Sequence, residues 1–208
     1  MSALRGNLPA DIDPKAVSII VDEDIHRPLG TGFYFLRPCY FVTAKHVVVD
    51  ADTGLPRENL VLMQRGPDYP KATVSLLHPN LDLAVLNVDR PDCEIPLFPS
   101  HERFAGQHGL KYWGYSPKLS EPASLKYTVV VMDVPHYTLD EPKQRDDGVE
   151  QVLRFDSPWS EGGHSGGPVL GLGGGVIAVI VEGHEGWLRA TSSHALLRFF
   201  TLEASERE

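Results

Sequence analysis

The chain has 208 residues, 42% of them hydrophobic and 23% charged, with a formal net charge of −9. That is a globular composition with room for a sizeable core, and its acidic balance opposes nucleic-acid phosphates and anionic membrane surfaces, which want clustered Lys and Arg. The longest clean apolar run, 176–181, is far below the ~20 residues of a membrane-crossing helix, and the first fifteen residues carry no apolar signal core.

Nineteen glycines and 17 prolines punctuate the chain, which favours many short strands over long helices. The apolar segments are short, rich in Val, Ile, Phe and Tyr, and bounded by turn residues. In chain order they predict strands at 18–21, 32–36, 40–43, 60–63, 73–77 and 83–88. A Pro-containing stretch without periodicity, 91–107, reads as a linker. A second group follows at 110–114, 125–133, 150–155, 168–172, 176–181 and 187–191. Two β halves, about 16–90 and 108–202, thus share one domain spanning 1–208, in a sandwich or a barrel. The segment 138–150 is acidic and aperiodic, and it reads as a solvated, mobile hairpin loop. The glycine run 171–175 is a hairpin turn and not a phosphate loop. A helix is expected near the C-terminus, capped by Ser192 or Ser193, with Ala195, Leu196, Phe199, Phe200 and Leu202 on its apolar face. Cys39 and Cys93 are too few for a disulfide framework. Both are expected as free thiols in a cytoplasmic protein, unless a signal segment has been removed.

The chemistry concentrates in Gly163-His164-Ser165-Gly166-Gly167-Pro168. Nucleophilic acyl transfer needs a serine on a tight turn, with backbone N–H groups aimed at the developing oxyanion. The turn supplies these from Gly163 and Ser165. Among nine histidines, His46 is the candidate base, because Thr43-Ala44-Lys45-His46 turns the chain tightly after an apolar strand and presents the imidazole. His164 adjoins the serine, but neighbours on a tight turn point apart. Asp82, between Leu81 and Leu83, is an acid at the start of a buried strand and so needs a partner. A histidine whose tautomer it fixes is such a partner. No His, Cys and carboxylate stand at metal-ligand spacing, so neither a metal nor a cofactor is expected.

These segments resemble the chymotrypsin-like serine proteases. Thr43-Ala44-Lys45-His46-Val47 is similar to the family's histidine element, Asp82-Leu83-Ala84-Val85-Leu86 to its aspartate element, and the Ser165 turn to its G(D/N)SGGP element. Gly30-Thr31-Gly32-Phe33 and Trp113-Gly114-Tyr115-Ser116-Pro117 match further strands. The likeness lies nearest the bacterial HtrA-type branch, without a PDZ domain. It implies an all-β fold of two six-stranded antiparallel β-barrels with a C-terminal helix. It also implies a serine endopeptidase with a His46-Asp82-Ser165 triad, Gly163 and Ser165 as the oxyanion hole, and a protein or peptide as substrate. A protease regulated by an activating protein partner is the sharper expectation. A catalytically silent peptide-binding module and a serine esterase are the alternatives. By the same likeness, Trp159, Glu161, Val181, Glu182 and Gly183 border the substrate pocket. Trp159 stands where basic-specific members carry aspartate, which argues against simple Arg/Lys specificity.

Overall fold

Alternating apolar residues with turn signals every few positions make antiparallel strands the cheapest way to pair buried backbone. The structure is a computed structural model that describes residues 14–36, 39–63, 69–89, 96–100, 109–117, 120, 128–134, 137–139, 143–145, 148–150, 152–156, 162–184 and 186–206.

In the first half six strands close a barrel: β1 Val17–Asp22, β2 Arg27–Tyr34, β3 Tyr40–Thr43, β4 Leu60–Met63, β5 Lys71–Leu77 and β6 Ala84–Asp89. They pair in the order β1-β2-β3-β6-β5-β4, so the described barrel leaves no edge unpaired. Ile20, Tyr34, Phe41, Leu60, Leu62 and Leu86 fill it. One helical turn, α1 Lys45–Val48, follows β3, and the buried side chains of Val47 and Val48 root it in that core.

The second half contains β7 Lys111–Tyr115, β8 Val129–Asp133, β9 Tyr137–Leu139, β10 Lys143–Arg145, β11 Gly148–Glu150, β12 Val152–Asp156, β13 Pro168–Leu170, β14 Val176–His184 and β15 Trp187–Ser192. Seven of these form a sheet in the order β8-β7-β13-β14-β15-β12-β9, and β10 and β11 pair as a separate hairpin. The second half therefore has seven strands in its main sheet where six were expected. Among the described residues that sheet does not close as the first does. The acidic segment holds regular hairpin strands at β10 and β11, with Lys143 opposite Glu150. Backbone ladder bonds ask little of the side chains, so composition alone hid them.

A shared apolar layer joins the halves. Phe33, Phe35, Val42 and Leu83 of the first pack with Trp113, Leu170 and Val179 of the second. The described part of the expected linker, residues 96–100, is extended and bonded to both sides. Leu97 N–H donates to the Tyr34 carbonyl at 2.8 Å, and Ser100 N–H to that of Val176 at 2.8 Å. The helix α2, Ser193–Glu206, adds Leu196 to this layer, with Ala195, Leu197 and Phe200 packed against it. Its Phe200 ring meets those of Phe35 and Tyr40. Among the described residues no helix is long and apolar enough to cross a membrane.

One expectation is corrected. Cys39 is disulfide-bonded, so it is not a free thiol. Cys93 lies outside the described residues.

Candidate active site

α1 carries His46 at the mouth of the barrel, and the turn between β5 and β6 carries Asp82. The Asp82 carboxylate grips the histidine twice. Its Oδ1 accepts the His46 backbone N–H at 2.8 Å, and its Oδ2 lies 2.6 Å from Nδ1. An ionised carboxylate only accepts, so Nδ1 carries the proton and Nε2 is left as the basic nitrogen. The pair is partly open to solvent, with 50% of the His46 side chain and 35% of the Asp82 side chain exposed. The flanking Leu81 and Leu83 are buried and anchor the acid from both sides.

Thr31, in the middle of β2, brings the serine turn to this place. Every polar group of this buried residue is used. Its N–H donates to the Ser165 carbonyl at 2.8 Å, and its hydroxyl donates to the Gly163 carbonyl at 2.7 Å. The hydroxyl also accepts the Tyr115 N–H at 2.8 Å, and the Thr31 carbonyl accepts the Thr43 hydroxyl at 2.7 Å. One first-half residue thereby ties the serine turn, β7 and the end of β3 together, three residues before His46. On the far side, Gly166 N–H donates to the Ile180 carbonyl at 2.7 Å, and Ile180 N–H to that of Gly167 at 2.9 Å.

This crowding explains the paired glycines. A Cβ on Gly166, whose φ is +85°, would lie 2.0 Å from the Thr31 carbonyl oxygen and 2.2 Å from the Thr43 hydroxyl. A Cβ on Gly167 would lie 1.9 Å from the Trp113 carbonyl oxygen. A side chain at Gly166 would push the turn off the first half, and one at Gly167 would push it off β7 of the second.

Among the described residues, the N–H groups of Gly163 and Ser165 donate to no other group, and the Ser165 hydroxyl is not bonded to His46 or to any other side chain. Thus His46 and Asp82 are directly joined, while Ser165 is tied through its carbonyl to Thr31, whose own carbonyl holds the end of β3. Nucleophile–base bonds are often long in the ligand-free state and tighten with substrate.

His164 points away from solvent. Its ring packs edge-on against Tyr112, with centroids 5.5 Å apart, and fills the space above Gly114 where no Cβ would fit. Among the described residues neither ring nitrogen has a hydrogen-bond partner, and burial pushes the imidazole's pKa down to about 4.

Of the expected pocket residues, Trp159 and Glu161 lie outside the described residues. Val181, Glu182 and Gly183 lie on β14 beyond its pairing with β13. Glu182 is already engaged. His184 Nε2 donates to its Oε1 at 2.7 Å and Arg189 Nη1 reaches its Oε2 at 3.4 Å. The His184 bond, then Arg189, holds its carboxyl below the usual range. Trp187 is sandwiched between the His184 ring, 4.4 Å away, and the Arg154 guanidinium, 4.3 Å away. No group of three metal-ligating side chains occurs among the described residues.

Sequence reasoning missed two residues. Thr31 entered only through a family likeness, because its partners, from Thr43 to Ser165, lie far from it in the chain. His78 is not singled out by the sequence reading, although an acceptor side chain ahead of a Pro-Asn-Leu-Asp turn is a local signal.

A barrel and a companion sheet meeting at a serine turn and a His–Asp pair define a serine-protease architecture. The model of the trypsin-like peptidase domain matches residues 30–179, and the chain belongs to that family of serine proteases. It is 32% identical over 162 residues to a probable periplasmic serine endoprotease, DegP-like, of Chlamydia pneumoniae. That match covers 76% of this chain but only 30% of the relative. Among solved structures, the serine protease of human pathogenic astrovirus superposes with a TM-score of 0.61 at 19% identity, over 87% of this chain and 91% of that one. The Rv3671c protease from M. tuberculosis, in its active form, gives 0.61 at 22% identity, over 88% and 78%. The HtrA-type protease AlgW with a tripeptide gives 0.62 at 17% identity, over 90% and 60%.

Proposed function

We propose that this chain is a serine endopeptidase that cleaves a protein or peptide through an acyl-enzyme, with Ser165 as nucleophile, His46 as base and Asp82 as orienting acid. The observation that carries the reading is the double grip of Asp82 on His46 beside a turn whose two N–H donors are open. Ser165 Oγ bonds to the scissile carbonyl carbon as its proton passes to His46 Nε2. The carbonyl oxygen, now an oxyanion, takes hydrogen bonds from the N–H groups of Gly163 and Ser165. Collapse of this intermediate breaks the C–N bond, and imidazolium returns the proton to the leaving amine. Water repeats the sequence and frees the acid product. Asp82 stays ionised throughout, holding Nδ1–H and stabilising the imidazolium.

The substrate strand pairs with the free flank of β14 at Val181, Glu182 and Gly183. Trp159 and Glu161 border the primary pocket, which takes an uncharged side chain. The working unit is one peptidase domain over 1–208, with halves at about 16–90 and 108–202 joined by 91–107. An activating protein partner remains part of the proposal. The disulfide at Cys39 and the periplasmic name of the DegP-like relative favour an oxidising compartment over the cytoplasm expected from the sequence.

The test is steady-state cleavage of a peptide library beside matched esters. Asp82→Asn should lower peptide turnover by about 10⁴, the figure of the triad template. Esters cleaved with no amide cleavage would move the assignment to esterase. Binding without either activity would move it to a silent peptide-binding module.

A further inference from the structure

The turn that presents Asp82 is short, solvent-facing at its tip and free of regular structure, yet the acid meets His46 at two atoms. Something must hold it. Residues 78–83 link β5 to β6, and His78 N–H closes the loop by donating to the Leu83 carbonyl at 3.0 Å. Inside the loop the His78 ring folds back over the backbone. Its Nδ1 accepts the N–H of Asn80 at 3.1 Å and that of Leu81 at 3.0 Å. These N–H groups belong to the two residues immediately before Asp82. The arrangement is that of a capping side chain, in which one acceptor satisfies N–H groups two and three positions on.

The ring is itself fixed. His78 is buried, its carbonyl accepts Lys45 Nζ at 3.1 Å, and its ring lies 4.9 Å from that of Phe199 on α2. Lys45 is the residue before His46, so the same histidine steadies both partners of the pair, one through its ring and one through its carbonyl. Two N–H groups aimed at Nδ1 require a lone pair there, hence the tautomer with its proton on Nε2.

We propose that His78 is a positioning residue for Asp82, holding through the backbone of residues 80–81 the carboxylate that orients His46. It touches no reacting atom. The inference rests on the triad reading given above and adds a residue to it. It also gives α2 a purpose at the site, since Phe199 backs the ring.

Two variants of the full chain separate positioning from packing. His78→Phe keeps an aromatic ring against Phe199 but has no acceptor. His78→Asn loses the ring but offers Oδ1 to the same N–H groups, as asparagine does in turns. Peptide-cleavage kinetics should show kcat reduced by about tenfold to a hundredfold in His78→Phe, with KM little changed, which is the range expected when a catalytic group is misplaced by a fraction of an ångström to an ångström. His78→Asn should stay within about threefold of wild type on the same reasoning. A second readout does not need turnover. The Nδ1 proton of His46, in a 2.6 Å contact with a carboxylate, should give a downfield proton NMR signal in the wild type and in His78→Asn, shifted or lost in His78→Phe.

Wild-type kcat and an unchanged signal in His78→Phe would overturn the proposal. So would His78→Asn being as impaired as His78→Phe, which is the pattern of simple loss of packing. If the wild type cleaves no peptide, the endopeptidase reading fails, and the NMR comparison alone decides the role of His78.

Discussion

The buried imidazole of His164 should make stability fall as the solution is acidified, through a window that can be stated in advance. In the unfolded chain this histidine takes up a proton at its ordinary value of 6.5, whereas burial holds the folded form neutral down to about 4. Above pH 7.5 neither state is protonated and the residue has no effect. Between 6.5 and 4 the unfolded state binds the proton and the folded state does not, so the folded state loses ground steadily. Below 4 both bind it and the loss levels off. At about 1.4 kcal/mol per unit, the difference of roughly two and a half units amounts to about 3 kcal/mol, of which about 2.5 has been lost by pH 4.5. That is a large share of the stability of a typical domain. The assay is urea unfolding followed by circular dichroism from pH 7.5 to 4.5, on wild type, His164→Leu and His164→Phe. Repacking shifts each variant by an amount independent of pH, and the other histidines cancel. The wild-type-minus-variant difference therefore isolates this ring, and it should move against the wild type by about 2–3 kcal/mol. A difference that stays constant across the range would refute the claim that His164 is buried neutral without a partner.

Thr31→Val removes a hydroxyl that donates to the part-buried Gly163 carbonyl and accepts from the buried Tyr115 N–H, so both backbone groups lose this bond. It should cost about 1–3 kcal/mol by urea unfolding and lower turnover as well. Gly166→Ala forces a methyl onto the Thr31 carbonyl and the Thr43 hydroxyl, and should abolish peptide cleavage even in whatever fraction of the protein folds. Denaturing alkylation without reductant should leave Cys39 unmodified, and prior reduction should expose it, as mass spectrometry of the Cys39 peptide will report.

The strands were legible wherever a β-rich run ended in turn residues. β3 and β4 fall on the expected 40–43 and 60–63, and α2 begins at the expected serine. The nucleophile turn was legible because backbone crowding at Gly166 and Gly167 leaves glycine as the only fit, which writes the constraint into the sequence. Asp82 could be found through its leucine neighbours. What stayed hidden depends on contacts between distant residues or on the backbone alone. The β10–β11 hairpin stands on ladder bonds that acidic side chains neither favour nor forbid. Thr31 matters through Gly163 and Tyr115, far away in the chain. His78 works through peptide N–H groups, which no residue name records. Two cysteines form no disulfide pattern in the sequence, and only its place in three dimensions brings Cys39 to a disulfide. That the second sheet does not close among the described residues is a matter of pairing order, which short strands of similar composition do not specify.

The central claim is that Ser165 is a nucleophile activated by the His46–Asp82 pair. Reaction of the folded protein with a fluorophosphonate, followed by peptide mapping in a mass spectrometer, tests it most directly. The account predicts a single adduct on Ser165, absent in Ser165→Ala and strongly slowed in His46→Ala. An adduct on another residue, or none on protein shown to be folded, would contradict it.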